Sequence, residues 1–277
     1  MQTIAELMAT FRSGTKLLCN MAERLNFPFD MDISNTRELH NMYARNLITS
    51  YTSKFAQLSE TVMDSVEDQR FLVYALSGRS LIETVATLRY YMLTQYKLLF
   101  DNGITTNEQM KLLIDIDDRH LRGGRFDWDA FLCKRYENLK DNMIDELAIK
   151  NVKNNQKPEL KSTLDKNKAK QTPFEIRVLE DQINVMTCIE HWAKESPAAL
   201  VAYGLFCDLV HPNIGSSFMI ASVNDAGKMY FTPAKGKSIG SDIFQQTFPM
   251  LVSVTHKAFG KYISLLIRTI WQDDELE

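Results

Sequence analysis

The chain has little of what marks the more specialised protein classes. Its four cysteines, Cys19, Cys133, Cys188 and Cys207, form no CxxC pair, which argues against a zinc ribbon or a disulfide framework and for a reducing compartment. No basic start followed by an unbroken apolar stretch opens the sequence, so MQTIAELMATFRSGTKLL reads as an amphipathic helix and not as a secretory signal. Long apolar runs are also missing. The segment from Phe248 to Ile267 is broken by His256, Lys257 and Lys261, which counts against a membrane span of about 20 apolar residues. There is no excess of one charge: 32 Lys and Arg stand against 35 Asp and Glu, for a formal net charge of −3. Contact with nucleic acid or an acidic membrane would therefore need a local basic patch. Finally, no P-loop, GxGxxG after a strand, HExxH, GxSxG or EF-hand loop is present, which removes the common nucleotide, zinc-protease and hydrolase classes. A cytoplasmic protein without a cofactor and without membrane contact is expected.

What is present is helical patterning. With 277 residues, 45% of them hydrophobic and 24% charged, the chain can bury a sizeable core as one helical domain over residues 1–277. Ile4, Leu7, Met8, Phe11 and Leu18 recur at helical spacing, as do Leu39, Tyr43, Leu47, Tyr51, Phe55, Leu58 and Val62. A Pro28-containing connector, residues 26–34, lies between them. From Arg70 to Phe100 the chain is apolar on nearly all sides, the pattern of a central bundle helix. Thr105 to Glu108 offers a capping box, Gly123-Gly124 a break, and residues 127–150 another amphipathic helix. Residues 150–170 carry seven lysines against two acids and too few apolar groups to offset ordering, so a mobile loop is expected there. Without interleaved aromatic side chains it lacks the stacking platforms of a single-strand nucleic-acid groove.

Thr172-Pro173 and Ser196-Pro197 mark two helix starts, cap then proline, and Pro212 stops the second helix near His211. Residues 217–223 and 228–232, joined by Asn224-Asp225-Ala226-Gly227, predict one β-hairpin. Ser241-Asp242 is expected to cap a last helix reaching about Trp271, with Pro249 near its first turns. The expected fold is all-α, a multi-helix bundle with one small β-hairpin near residues 217–232.

Four residues stand out chemically. Arg79 and Glu83 interrupt the stripe Leu72, Leu76, Ala86, Tyr90 and Leu93 of the central helix; one turn apart, they can pair with each other or line a charged pocket inside the bundle. Asp208 and His211 are three residues apart and share a helix face with Gly204, whose missing side chain leaves room for a cleft. The bland alternative is that Asp208 orients His211, while His211 and Asn213 hold the turn into the hairpin. His256 belongs to the stripe Val252, Phe259, Ile263, Leu266 and Ile270 and reads as a core histidine. Glu83, Asp208, His211 and His256 have the chemistry of divalent-cation ligands, but no spacing unites them, and no metal is expected.

The stretches Gly78-Arg79-Ser80-Leu81-Ile82-Glu83 and Tyr203 to Asn213, ending Val210-His211-Pro212-Asn213, resemble a group of bacterial helical proteins related to HEPN-like bundles. In that group an Arg-x-x-x-Glu helix is paired with a helix ending in His-Pro or His-Gly. The resemblance implies a helical bundle, often a homodimer or bound to a partner protein, in a phage-defence, toxin–antitoxin or stress setting, whose active members cleave RNA without metal. It implies a catalytic set of Arg79, Glu83, Asp208 and His211. The sequence departs from the group's catalytic pattern in having no arginine just before His211, so activity requires Arg79 to approach from the other helix. The alternative is a non-enzymatic helical interaction or sensor protein in which the same four residues form a structural polar core.

Overall fold

A computed structural model describes residues 3–24, 36–96, 113, 116–117, 120, 184–232 and 237–274. The described elements are α1 (Ile4–Arg24), α2 (Thr36–Glu67), α3 (Phe71–Tyr96), α4 (Val185–Ala193), α5 (Pro197–Val210), α6 (Ile214–Met219), β1 (Ser222–Val223), β2 (Met229–Tyr230), β3 (Lys237–Ser238) and α7 (Ile239–Asp274). The fold is an all-α multi-helix bundle with one small antiparallel sheet. Contacts divide the chain into two units, one of Met1–Asn26, Ala44–Thr105 and Asn184–Glu277, the other of Phe27–Tyr43 and Thr106–Ile183. The Lys-rich stretch 150–170, the helix starts at Thr105 and Thr172 and the helix over 127–150 lie outside the described residues.

The first unit is built around α3, which packs on α7, α5 and α4. Tyr74, Ala75, Leu81, Ile82, Val85, Leu88, Tyr91 and Met92 are all buried, so α3 is covered on most of its circumference, as its apolar composition requires. It is also the one described helix long and apolar enough to cross a membrane. With 61% of that window buried inside the protein, α3 is a core helix. Phe11 of α1 packs edge-on against Phe248 of α7, with centroids 5.4 Å apart. Phe55 of α2 stacks on Phe259 of α7 at 3.9 Å. The Tyr74 and Thr247 hydroxyls, from α3 and α7, are 2.9 Å apart and hydrogen-bonded.

A buried charge lies in this core. Arg89 of α3 has no exposed surface; its Nη1 is 2.9 Å from Nδ1 of His191 on α4, and its Nη2 is 2.6 Å from the Glu195 carboxylate at the α4–α5 corner. Its guanidinium also lies 6.0 Å from the centre of the Tyr262 ring of α7.

The hairpin region differs in detail from its sequence reading. Residues 217–219 belong to α6, because Asn213 and Ser216 form a reciprocal capping box that starts a helix there. The strands are short, and β1 is central, pairing antiparallel with β2 (Ser222 opposite Tyr230) and with β3 (Ser222 opposite Ser238). The turn is as expected: the Asn224 side chain accepts hydrogen bonds from the amides of Ala226 and Lys228, and Gly227 supplies a φ of 75°. The cap of α7 is Ser238, whose hydroxyl accepts from the Ser241 amide at 3.2 Å, so the helix starts ahead of the expected Ser241. It continues through Pro249.

Candidate functional site

Arg79 and Glu83 lie on the least covered stripe of α3, with Leu72, Leu76 and Tyr90. Their side chains are 30% and 27% exposed. This corrects the picture of a charged pair inside an apolar seam: on a helix apolar all round, periodicity cannot tell the outward face, and the charges themselves mark it. Arg79 Nε donates to Glu83 Oε1 at 2.9 Å. The same carboxylate oxygen accepts from the Tyr203 hydroxyl of α5 at 3.2 Å, and Arg79 Nη2 donates to that hydroxyl at 3.5 Å. The guanidinium carbon is 5.7 Å from the Tyr203 ring centre.

Burial works against the charge on Arg79, but the hydrogen bond and negative charge of Glu83 outweigh it and push the Arg79 pKa up. Burial also pushes the Tyr203 hydroxyl up to about 12. Arg79 is therefore a permanent cation, Tyr203 a neutral donor. The bonds described engage two of the five N–H groups of Arg79. Cys207, one turn beyond Tyr203, interacts with both Arg79 and Tyr203.

The local sequence explains this placement. Ser196 precedes α5, with Pro197 in its first turn, where proline costs no hydrogen bond. Residues 199, 202, 203, 206 and 209 of α5 are buried and fix which side faces α3. Gly78, next to Arg79, allows the close approach. At its other end α5 stops at His211, whose amide still bonds to the Cys207 carbonyl while its backbone turns extended at φ −69° and ψ 150°. Extended backbone is what Pro212 demands of the residue before it.

Asp208 and His211 are both exposed, as is Gly204, and a Cβ on Gly204 would meet nothing within 4 Å. The expected cleft is thus an open helix face: the missing side chain faces solvent, where no wall stands opposite. Among the described residues no hydrogen bond or ion pair joins Asp208 or His211 to Arg79 or Glu83. The structure brings together Arg79, Glu83 and Tyr203. It leaves His211 one turn beyond Cys207 on α5, about 6 Å along the axis. Asn213 is occupied as the α6 cap.

Among the described residues no group of three or more His, Cys, Asp or Glu side chains is placed to hold a metal, and Glu83, Asp208, His211 and His256 are not gathered. His256 sits between the Phe11 and Phe55 rings, at 4.4 and 5.4 Å, with both ring nitrogens buried and unpartnered. Burial lowers its pKa to about 4.

Sequence reasoning missed Tyr203, Arg89 and the histidines paired over long range. Arg89 and His191 meet across 102 residues. In the second unit, His40 Nδ1 lies 2.7 Å from Asp117 Oδ2, both buried. Neither pair has a local sequence signature. Tyr203 had one, since it opens the stretch that runs through His211 to Asn213. No family model, no curated protein and no solved structure matches this chain.

Proposed function

We propose that the α3–α5 face carrying Arg79, Glu83, Tyr203 and His211 is the working surface of a HEPN-like ribonuclease that acts without metal in bacterial defence or stress, in the cytoplasm. The observation that carries the proposal is the tethering of Arg79 at the surface by Glu83 and Tyr203, on the side of α5 that runs through Cys207 toward the exposed His211. An arginine so fixed keeps N–H donors for phosphate oxygens, and its permanent charge stabilises the negative charge that develops when a ribose 2′-oxygen attacks the neighbouring phosphorus. His211, reachable from solvent, takes the 2′-hydroxyl proton or returns one to the leaving 5′-oxygen. Asp208, one turn away, orients the imidazole. A second copy of the chain or a partner protein is a further element of this reading.

One observation favours a second reading, a non-enzymatic interaction or sensor protein. Leu76, Leu200 and Val201 are 49%, 42% and 63% exposed, within a turn of Arg79 and Tyr203, and exposed apolar side chains beside a fixed polar cluster are what a docking face presents.

The test is cleavage of end-labelled RNA, including tRNA, by wild type, Arg79→Ala, Tyr203→Phe and His211→Ala, each with and without EDTA, with melting temperatures recorded. The ribonuclease reading expects cutting by wild type that EDTA leaves intact and that is lost in folded Arg79→Ala and His211→Ala. No cutting by any protein, with Arg79→Ala melting early and His211→Ala unchanged, leaves a structural cluster in an interaction protein.

A further inference from the structure

We propose that the cavity bounded by α1, the α2–α3 turn and the first turns of α7 is a binding site for an uncharged small molecule that joins an apolar body to a carboxamide. The cavity measures about 680 Å³, within the range of about 300–1,000 Å³ that small-molecule sites occupy. Ile4 and Met8 of α1, Val66 of α2, Phe71 of α3 and Phe244 of α7 give it apolar walls. The Phe71 and Phe244 rings lie 6.3 Å apart, and Tyr74 meets Phe244 edge-on at 5.1 Å. The start of α7 is pressed against the same wall: a Cβ on Gly240 would come within 2.8 Å of the Phe71 Cβ. Packing thus forms this side before any ligand arrives, which spares a ligand the cost of ordering it.

The ionic side chains around the cavity are already matched. Glu67 is ion-paired with Arg12 of α1, and Lys237 Nζ lies 2.9 Å from Asp242 Oδ2. An anion brought here would face two carboxylates, and a cation would have to draw one of them from Arg12 or Lys237; neither meets a free counter-charge. The Ser238 hydroxyl is taken up as the cap of α7. What remains are the carboxamides of Gln69 and Gln245. Both line the cavity, and among the described residues neither has a hydrogen-bond partner. Each offers N–H donors beside a carbonyl acceptor, the complement of another amide.

Gln69 is also an anomaly of the backbone. Among the described residues it is the one non-glycine with a positive φ, 56°. It ends α2 in the left-handed conformation, its amide bonded to the Val66 carbonyl and the Arg70 amide to the Ser65 carbonyl. Glycine is the usual residue at such a helix end, because it has no Cβ to strain. A glutamine there strains the turn and makes no bond within the protein in exchange; what it contributes is a carboxamide at the cavity wall. The cavity shares no lining residue with the Arg79 cluster, so the assignment is independent of the ribonuclease reading.

The experiment is NMR titration of the full chain with benzamide, benzoate and benzylamine, which share a ring and differ in charge. The side-chain amide signals of Gln69 and Gln245 and the ring signals of Phe71 and Phe244 report occupancy. Benzamide is expected to shift them saturably, with a Kd on the order of 1–10 mM for a fragment of its size, and the charged probes to bind about tenfold more weakly. Gln69→Gly should melt at or above the wild-type temperature, since it relieves the turn. It should nevertheless bind benzamide about fivefold more weakly, the loss of one hydrogen-bonding group. A Gln69 that served the fold alone would not separate stability from binding in this way. No saturable shift at these signals overturns the site, and so does wild-type affinity in Gln69→Gly. Benzoate or benzylamine binding as tightly as benzamide overturns the ligand class. Should Gln69→Gly fail to fold, Gln245→Ala, at an exposed position of α7, carries the same expectation and is overturned by the same result.

Discussion

Gly78 of α3 and Phe206 of α5 touch so closely that the Phe206 ring occupies the place a Cβ on residue 78 would take. Phe206 has no exposed surface and its ring rests against Tyr74 at 5.6 Å, so it has nowhere to go. Gly78→Ala is therefore expected to cost about 1–3 kcal/mol through overpacking, even though alanine is the better helix former. Denaturant unfolding measures it. A variant as stable as wild type would mean that the two helices are not in this contact.

Arg89 gives an asymmetric prediction. Removing the charge with Arg89→Met leaves Glu195 in water and puts an apolar chain of similar length in an apolar site, so the cost should stay within about 1 kcal/mol, as for buried ion pairs replaced by packed hydrophobes. Glu195→Ala keeps a buried guanidinium while taking its anion, and should cost about 1.5–3 kcal/mol. Thermal unfolding of the two variants side by side checks the order. If Glu195→Ala is the milder change, the pair does not neutralise Arg89 as described.

His256 should make the fold acid-sensitive. Its folded-state pKa is lowered to about 4, against about 6.5 for an unfolded histidine. The unfolded chain then binds the extra proton between these values, so the contribution is fully present above pH 6.5 and is lost as pH falls toward 4. The size is on the order of 3 kcal/mol. His256→Leu, which cannot titrate, should flatten this part of the stability profile measured by urea unfolding at successive pH values. An unchanged slope would place the acid sensitivity elsewhere, His120 with its similarly lowered pKa being the next group to test.

Much of the helical framework was legible in advance because its signals are local. Ser196-Pro197 and His211-Pro212 bracket α5 by backbone chemistry that no tertiary contact needs to assist, and the stripe through Leu47, Phe55 and Val62 buries as its spacing implies. The hairpin was readable at its turn but not at its ends, since the Asn213–Ser216 capping box outcompeted the β-formers at 217–219. The candidate site was half legible. Arg79 and Glu83 could be paired from their spacing, but their outward position could not be inferred on a helix apolar all round. The partnership with Tyr203 spans 120 residues and that of Arg89 with His191 spans 102. Pairings at such separations are set by which faces pack, and a single sequence does not carry that information in any short window.

The packing of α3 on α7 also has a consequence for synthesis of the chain. The Tyr74–Thr247 bond closes across 173 residues, so this long apolar core helix leaves the ribosome long before its principal cover exists. At typical translation speeds the interval is on the order of ten seconds or more. During that time a nascent chain displays Tyr74 and the α3 face around it with no α7 to cover them. Premature termination before residue 239 would leave that surface permanently bare, and such fragments should aggregate or be degraded rather than persist as smaller folded proteins.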